Sequence, residues 1–469
     1  MHSLTAQDFF SFFKNHILII CIVLIGLGLR LYRLPEMASY DFDQEYATTF
    51  VLQVVKEYPI RYVGQGLSIQ GLFMGPFYFY YLVPFYLLFQ LNPLGGMIGS
   101  VIMGTAIIVM YYSVGKSLFS AKAGLLAAFI RAIGFYAIQA DWSMVPSYSS
   151  DLAVLAVWWL FYQLWKGNTR YTPILFFIFG MFSSFHPVQL PFILVFFILL
   201  VVWRLKLSIR EMMLSAVAFI IPITPLILFE YWRNWSMVKT IMAAGGITSV
   251  SSAGISLEKL SKTADILITH LGDLLNIPES WVWLSIAVAG WAGMVLWQSK
   301  KTKKIGFHLP ALSVVLLVFL LYYSLLPFNV PEYYLRGTQA IFLLYIGMLL
   351  AHVSSKKWGV AAVTALLLFI IWSNAQSLQR RWQQTDLTTL AYKQRVIHNI
   401  LQHTEGKPFQ ISYIVKPGWG SGFDSLFAVS AQKPGAEGPV YTIIVPMIEL
   451  SNDSYDFVSG GVGVTYPDK

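Results

Sequence analysis

The sequence predicts a mainly α-helical, polytopic membrane protein that ends in a small α/β domain. Only 12% of its 469 residues are charged, whereas a soluble domain carries about 25%. Hydrophobic residues make up 57% of the chain. They form apolar stretches of about 15–24 residues, each followed by a short polar loop. A bundle of about eleven transmembrane helices accounts for all of these observations.

The predicted spans follow one another from the N-terminus to about residue 375. They cover residues 17–32, 94–115, 123–140, 151–165, 171–185, 187–203, 212–231, 280–298, 309–327, 338–354 and 358–375. The first span is interpreted as an uncleaved anchor, because no small-residue cleavage site follows it. Cys21, the one cysteine, lies within this span, so an intrachain disulfide and a thiolate metal site are excluded.

One further apolar stretch, Leu72–Leu91, is long enough to cross the bilayer but is predicted to be juxtamembrane or re-entrant. With this assignment the basic clusters of the short loops, such as Lys300–Lys304 and Lys356–Lys357, all lie on the inner side. Pro76 and Pro84 would also interrupt a regular span. The N-terminus is therefore expected in the cytoplasm and the C-terminal domain outside it, in a plasma or inner membrane.

The net charge of +9 would suggest a nucleic-acid partner in a soluble protein. Here the basic residues lie mainly in short loops between apolar segments, where they set orientation. Membrane lipids are the expected surroundings, and nucleic acid is not an expected partner.

The chain is predicted to divide into a transmembrane domain at 1–376, with outer loops at 33–93 and 233–279, and a soluble domain at 377–469. In the soluble part, Asp386–His403 has the apolar stripe of an amphipathic helix. Two strand-like runs, Phe409–Val415 and Val440–Val445, follow it.

Asp41, Asp43 and Glu45 form a dense acidic cluster just after the first span. In an extended segment these odd positions share one face, so the three carboxylates could converge as a general base or a divalent-cation site. If a helix begins near Asp43, then Asp41 or Asp43 serves instead as its cap in a solvated loop. The sequence leaves both interpretations open.

Four stretches of the chain resemble the GT-C glycosyltransferases. They are Gly26–Pro35, Asp41–Ala47, the proline–aromatic Gly75–Tyr81 and the basic hairpin Val114–Ala128. The resemblance is to the polyprenyl-phosphate-sugar-dependent branch, which includes protein mannosyltransferases and lipid A aminoarabinose transferases. It covers residues 17–205 well, continues loosely to 375 and is absent from the tail.

This resemblance implies an inverting transfer of a sugar from a polyprenyl-phosphate donor to a hydroxyl of a glycan, lipid or protein acceptor. A carboxylate in the first outer loop would be the catalytic base. The family pattern is Asp-Glu, whereas this chain has Asp43-Gln44 flanked by Asp41 and Glu45. Asp43 is the preferred base, with Asp41 as the alternative.

The remaining candidate site residues belong to the same expected outer face. Arg336, Arg61 and Arg233 are candidates for the leaving phosphate, because a guanidinium binds phosphate in bidentate geometry. Candidate contacts to donor or acceptor are Asp141, Asp151, His186, Gln189 and Tyr333. Asp141 and Asp151 have no arginine close to them in this loop, where relatives often carry one.

Arg131 is predicted to lie mid-span, so it needs a partner that the sequence does not identify. The competing functional classes are a transporter, flippase or polysaccharide polymerase, and a non-catalytic assembly protein. A transporter would place ionisable residues near mid-membrane on several spans. Here they gather towards one face, which favours the enzyme.

Overall fold

The computed structural model describes residues 6–67, 70–243, 257–277, 306–326, 331–416, 420, 422–446 and 455–467. It contains a helical bundle and a small mixed sheet. The first twelve helices are α1 Ala6–Leu31, α2 Leu34–Met37, α3 Phe42–Lys56, α4 Phe77–Leu88, α5 Pro93–Leu118, α6 Ala121–Ile133, α7 Phe135–Trp142, α8 Ser150–Trp165, α9 Thr172–Phe185, α10 Pro191–Val202, α11 Ile209–Trp232 and α12 Ser236–Ala243. Then come α13 Leu257–Leu275, α14 His308–Ser324, α15 Gly337–Val353, α16 Gly359–Gln383, α17 Leu390–Thr404 and α18 Asp424–Val429.

The predicted spans coincide with helices throughout the part of the chain that the structure describes, and 280–298 lies outside it. Three described helices, α5, α11 and α16, are each long and apolar enough to cross a membrane. The pair α6 and α7 makes a fourth candidate, bent by 63° at Gly134. Helix α16 continues to Gln383, beyond the predicted end at 375. The mainly α, polytopic membrane class is confirmed.

The apolar stretch Leu72–Leu91 is only partly helical. Its N-terminal part pairs with the preceding loop, where Gly66 and Phe73 form a bridge, and α4 starts after Pro76. A helix of 12 residues is about 18 Å long, which is shorter than the roughly 30 Å hydrocarbon layer.

Helix α5 lies at the centre of the bundle, and α11 lies at its edge. Most of the apolar part of α5, 61%, is buried against its neighbours, whereas only 11% of that of α11 is. The exposed apolar surface of α11 is therefore suited to lipid contact.

The C-terminal residues form the predicted small α/β domain. Strands β1 Gln410–Val415, β2 Val440–Val445, β3 Phe457–Ser459 and β4 Val462–Thr465 are arranged in the order β1-β2-β4-β3. β1 and β2 are parallel, and the other two pairs are antiparallel. Helix α17 covers the sheet with Val396, Ile397 and Ile400, which are buried.

The core of this domain is continuous with that of α3 and α4. Phe50 and Phe79, on α3 and α4, belong to the same buried apolar cluster as Ile397 and Phe427. The C-terminal domain therefore packs directly on the segment that follows α1.

Candidate functional site

The acidic turn after α1 is the start of a helix. Asp41 occupies the N-cap of α3, and its backbone N–H donates to Gln44 Oε1 at 2.9 Å. Residues two apart on a helix point to nearly opposite sides, since each residue turns the chain by about 100°. The expectation that Asp41, Asp43 and Glu45 could converge on one face is therefore wrong, and the helix-cap alternative is correct for Asp41.

Two of the three carboxylates bind the C-terminal domain. Lys393 Nζ lies 3.3 Å from Asp41 Oδ1. Glu45 accepts two backbone hydrogen bonds, from Gly422 N at 2.7 Å and from Ser425 N at 3.1 Å. Asp41 and Glu45 are therefore in direct contact with the C-terminal domain.

Asp43 has a different environment. Its half-buried carboxylate accepts a hydrogen bond from Gln65 Nε2 at 2.6 Å, in the loop that pairs back on itself before α4. The Tyr78 hydroxyl lies 3.2 Å from Ser100 Oγ. Burial raises the pKa of Tyr78, and the charges of Asp43 and Asp141 raise this pKa further.

Arg61, in the loop after α3, packs against the face of α3 that carries Asp43. Its guanidinium donates to Gln53 Oε1 and lies 4.6 Å from the centre of the Phe50 ring. Positions 43, 50 and 53 are separated by seven and three residues, which places them along one helix face. The helix face that carries the candidate base Asp43 therefore also contacts the candidate phosphate-binding Arg61, through Phe50 and Gln53.

An apolar groove leads away from Arg61 between the first loop and α11. Its lining consists of Pro59, Ile60, Arg61, Tyr62, Phe77, Tyr80, Ile221, Thr224, Pro225 and Leu228. Tyr62 packs edge-on against Trp232, with 4.7 Å between ring centres. Arg233, the next residue, lies over Phe229 at 5.3 Å, near this end of the groove.

Arg131 is part of a buried ion cluster. Both its terminal nitrogens donate to Asp141, at 2.8 Å each, and its Nε lies 3.5 Å from Asp151 Oδ2. Arg30 Nε donates to the same Asp141 at 2.7 Å. Arg30, Arg131 and Asp141 have side chains exposed by 0%, 4% and 4%. The buried Asp141 therefore links α1, α6 and α7, and two arginines lie close to it, contrary to expectation.

A second cleft lies beside this cluster. Its polar lining comprises Arg131, Tyr136, Tyr148, Asp151, Asp273, Arg336 and Gln339. The Arg336 guanidinium lies 4.3 Å from the centre of the Tyr148 ring, and its Nη2 is 3.4 Å from the Tyr136 carbonyl oxygen. Burial raises the pKa of Asp273 to about 6, although nearby Arg336 opposes this rise.

His186, Gln189 and Tyr333 lie together. The His186 ring is 5.7 Å from that of Tyr333, and its Nδ1 accepts weakly from Val188 N at 3.4 Å. Gln189 is buried, and its amide has no hydrogen-bond partner among the described residues. An ideal Cβ on Gly337, next to Arg336, would lie 3.9 Å from Gln189 Nε2, so this group borders the segment that carries Arg336.

The structure divides the predicted site residues between two places. Asp43 lies on the face of α3 against which Arg61 packs, with Arg233 near the groove, whereas Arg336 and Asp151 line the other cleft. The sequence reasoning missed Arg30, Gln65, Asp273 and Lys393. The sequence signal for Arg30 was its position at the end of an apolar span, where a buried charge requires a partner.

Among the described residues, no group of three or more His, Cys, Asp or Glu side chains is placed to hold a metal ion. Asp41 and Glu45 already bind the C-terminal domain. A divalent cation at this turn stays a prediction.

Solved structures share this fold. The crystal structure of ArnT from Cupriavidus metallidurans bound to undecaprenyl phosphate matches with a TM-score of 0.55 and 12% identity, over 92% of this chain and 93% of that one. Its apo state matches with a TM-score of 0.53 and 11% identity, over 97% and 98% of the two chains.

The Archaeoglobus fulgidus oligosaccharyltransferase, tethered to an acceptor peptide containing the NVT sequon via a disulfide bond, matches with a TM-score of 0.51 and 14% identity over 90% of this chain. This chain spans 64% of the length of that protein. A scan against protein-family models and a search of curated proteins give no match. ArnT and the oligosaccharyltransferase are both GT-C proteins, and the chain has the GT-C fold.

Proposed function

We propose that this chain is an inverting glycosyltransferase that moves a sugar from a polyprenyl phosphate to an acceptor hydroxyl at the extracytoplasmic face of the membrane. The observation that supports it most is the half-buried Asp43 carboxylate, on the face of α3 against which Arg61 packs. Arg61 in turn borders an apolar groove. A transfer of this kind needs a base, a cation and an apolar surface for the lipid.

Asp43 is the proposed general base. It removes the proton of the acceptor hydroxyl while the hydroxyl oxygen attacks the anomeric carbon. The bond between that carbon and the phosphate oxygen breaks on the opposite side, so the configuration inverts and polyprenyl phosphate leaves. Gln65 orients the carboxylate by its hydrogen bond of 2.6 Å.

Arg61 is the proposed partner of the leaving phosphate, with Arg233 as the second cation. Arg61 borders the apolar groove, which would receive the first isoprene units of the donor. Arg336 suits a phosphate less well, because Asp151 and Asp273 line the same cleft and would repel an anion.

The GT-C neighbours support the kinds of substrate. ArnT was crystallised with undecaprenyl phosphate, and the oligosaccharyltransferase was tethered to an acceptor peptide. For this chain we therefore propose a polyprenyl-phosphate sugar as donor and a hydroxyl-bearing glycan, lipid or peptide as acceptor. The basic inner loops support the proposed orientation, with a cytoplasmic N-terminus.

The buried ion cluster bears on the competing transporter hypothesis. Arg131, the one charge predicted at mid-span, is bound by Asp141 at 2.8 Å within the bundle. A charge held in this way has a structural role, so Arg131 gives no support to an ion relay.

The test is turnover of a panel of polyprenyl-phosphate sugars by the purified protein, measured as release of the sugar to water or to added acceptors. The wild type should release sugar from at least one donor. The Asp43→Asn variant should be slower by about 10²–10⁴-fold, the usual effect of a general base.

The matched control is Asp265→Asn, which changes an exposed carboxylate on α13. This variant should keep the wild-type rate. Wild-type turnover by Asp43→Asn would remove the base assignment, and a wild type that acts on no donor would contradict the proposed reaction.

A further inference from the structure

We propose that the C-terminal domain belongs to the catalytic apparatus, with Lys393 and Glu45 as positioning residues that hold the turn carrying Asp43. This inference rests on the proposed role of Asp43 as the base. It goes further by giving a function to the C-terminal domain, to which the sequence resemblance does not extend.

Lys393 is the residue that points most strongly to this role. Its side chain on α17 is fully buried, which is rare for a lysine unless the ammonium group is bound by partners. Nζ donates to the Tyr40 carbonyl oxygen at 2.6 Å and lies 3.3 Å from Asp41 Oδ1. Burying this charge lowers the pKa of Lys393, and Asp41 opposes the change. The lysine thus binds the two residues that immediately precede α3.

Glu45 makes the second attachment, one turn further along α3. It accepts hydrogen bonds from Gly422 N and Ser425 N of the C-terminal domain. The buried Tyr40 hydroxyl lies 2.8 Å from Ser425 Oγ and 2.6 Å from Thr48 Oγ1, so it joins the same two segments. The turn is therefore held on both sides of Asp43.

Gly422 shows how closely the two segments approach. Its φ is +99°, in the region that favours glycine. An ideal Cβ at this position would lie 2.4 Å from the Tyr40 carbonyl oxygen, which is the acceptor of the Lys393 hydrogen bond. The main chains of the domain and the turn are thus in direct contact.

This attachment separates the three carboxylates by function. The domain supplies an ammonium group to Asp41 and two N–H donors to Glu45, whereas Asp43 accepts from Gln65 in the first loop. The proposed donor contacts, Arg61 and the groove, lie on the first loop, α4 and α11. Loosening the domain contact should therefore move the base without removing the donor site.

The test compares Lys393→Met with Lys407→Met in the full-length protein. Lys407 lies in the same domain, but its side chain is 76% exposed. Lys393→Met should lower kcat by about 10–100-fold, since misplacing a reacting group by 1 Å can cost about 10²-fold. The donor KM should stay within about twofold of the wild-type value, because it reports ground-state binding. Lys407→Met should leave both constants unchanged.

A general loss of structure would give a different result, because it would lower the active fraction and the thermal midpoint together. Glu45→Gln is the second variant, and it decides the matter if Lys393→Met does not fold. It keeps one acceptor oxygen for the Gly422 or Ser425 N–H but loses the charge, so kcat should fall by several-fold with donor KM unchanged.

The two proposals fail in different ways. Full turnover by Asp43→Asn removes the base assignment, and no turnover by the wild type on any donor contradicts the proposed reaction. An inactive Asp43→Asn together with a folded Lys393→Met of wild-type kcat contradicts the positioning role alone. A folded Lys393→Met with a raised donor KM and an unchanged kcat also contradicts the positioning role.

Discussion

The two acidic clusters of this protein differ in how their charges are satisfied. Asp141 lies inside the bundle, 4% exposed, and accepts hydrogen bonds from both Arg30 and Arg131. The turn after α1 is half-exposed, and its three carboxylates point in different directions to different partners. In the buried cluster both carboxylates, Asp141 and Asp151, lie beside an arginine. In the second, the described hydrogen bond of Asp43 comes from a neutral amide.

This difference shows that a high density of carboxylates does not identify a catalytic group. A buried carboxylate must be paired, since an unpaired charge in a medium of low dielectric constant is costly, and pairing makes it structural. A carboxylate that is half-buried and bound by a neutral donor can still accept a proton. On this criterion Asp43 is suited to catalysis, whereas Asp141 is suited to holding helices together.

The largest effect on stability should come from Asp141→Asn. The change leaves two buried arginines without their shared counterion, which typically costs about 3–5 kcal/mol. We expect a large fall in the thermal midpoint or in the yield of folded protein, measured by fluorescence-detected size exclusion after heating. Asp265→Asn, at an exposed position on the same chain, is the control. A normal midpoint for Asp141→Asn would show that the cluster is not structural.

The next effect separates the two neighbouring aspartates of the turn. Asn is as good an N-cap as Asp, and Lys393 still donates to the Tyr40 carbonyl when the Asp41 charge is lost. Asp41→Asn should therefore lower kcat by less than about tenfold, whereas Asp43→Asn should lower it by about 10²–10⁴-fold. Rates of sugar release at saturating donor give the comparison. Equal losses of kcat in the two variants would not distinguish Asp41 from Asp43 as the base.

Arg61 and Arg336 should differ in their effect on donor binding. A hydrogen bond to a charged group contributes about 1.5–3 kcal/mol, so Arg61→Met should raise the donor KM by about 10–100-fold. Arg336→Met should change it by less than about threefold, because carboxylates line the cleft of Arg336. Titrations with one polyprenyl-phosphate sugar measure both. A reversed order would move the phosphate site to the second cleft.

The smallest effect concerns the half-buried Asp273. Burial raises its pKa from 3.8 to about 6, so the folded protein binds a proton that the unfolded chain has already released. The resulting stability is fully present below about pH 4 and is lost as the pH rises through 6. In Asp273→Asn this dependence disappears. The midpoint of the variant relative to wild type should therefore rise by about 1–2 °C between pH 5 and 7.5, a small change because the group is partly solvated. A difference that stays constant with pH would contradict the raised pKa.

Several features of the fold follow from short stretches of sequence. The helices over 94–115, 151–165 and 212–231 were predictable because an apolar run of that length has few other stable arrangements in a bilayer. The amphipathic stripe of 386–403 likewise predicted α17, although its observed start at Leu390 differs by four residues.

The candidate site was predictable only in part. The sequence singled out the turn with Asp43 by its charge density and by family resemblance, and it named Arg61 without indicating that Arg61 packs against the helix that carries Asp43. It grouped Arg336 with them, whereas the structure places Arg336 in a cleft with Asp151 and Asp273. No sequence pattern pointed to a buried role for Lys393, since a lysine on a predicted amphipathic helix is ordinarily solvated.

By itself the sequence determined the membrane class, most of the helices and the acidic turn at the end of the first span, because these depend on the character of neighbouring residues. The tertiary structure alone decided which charges pair with which. Arg30 meets Asp141 across 111 positions of the chain, and Lys393 meets Asp41 across 352. The role of each carboxylate depends on such partners, since burial and a nearby cation decide whether the carboxylate holds a helix or takes a proton.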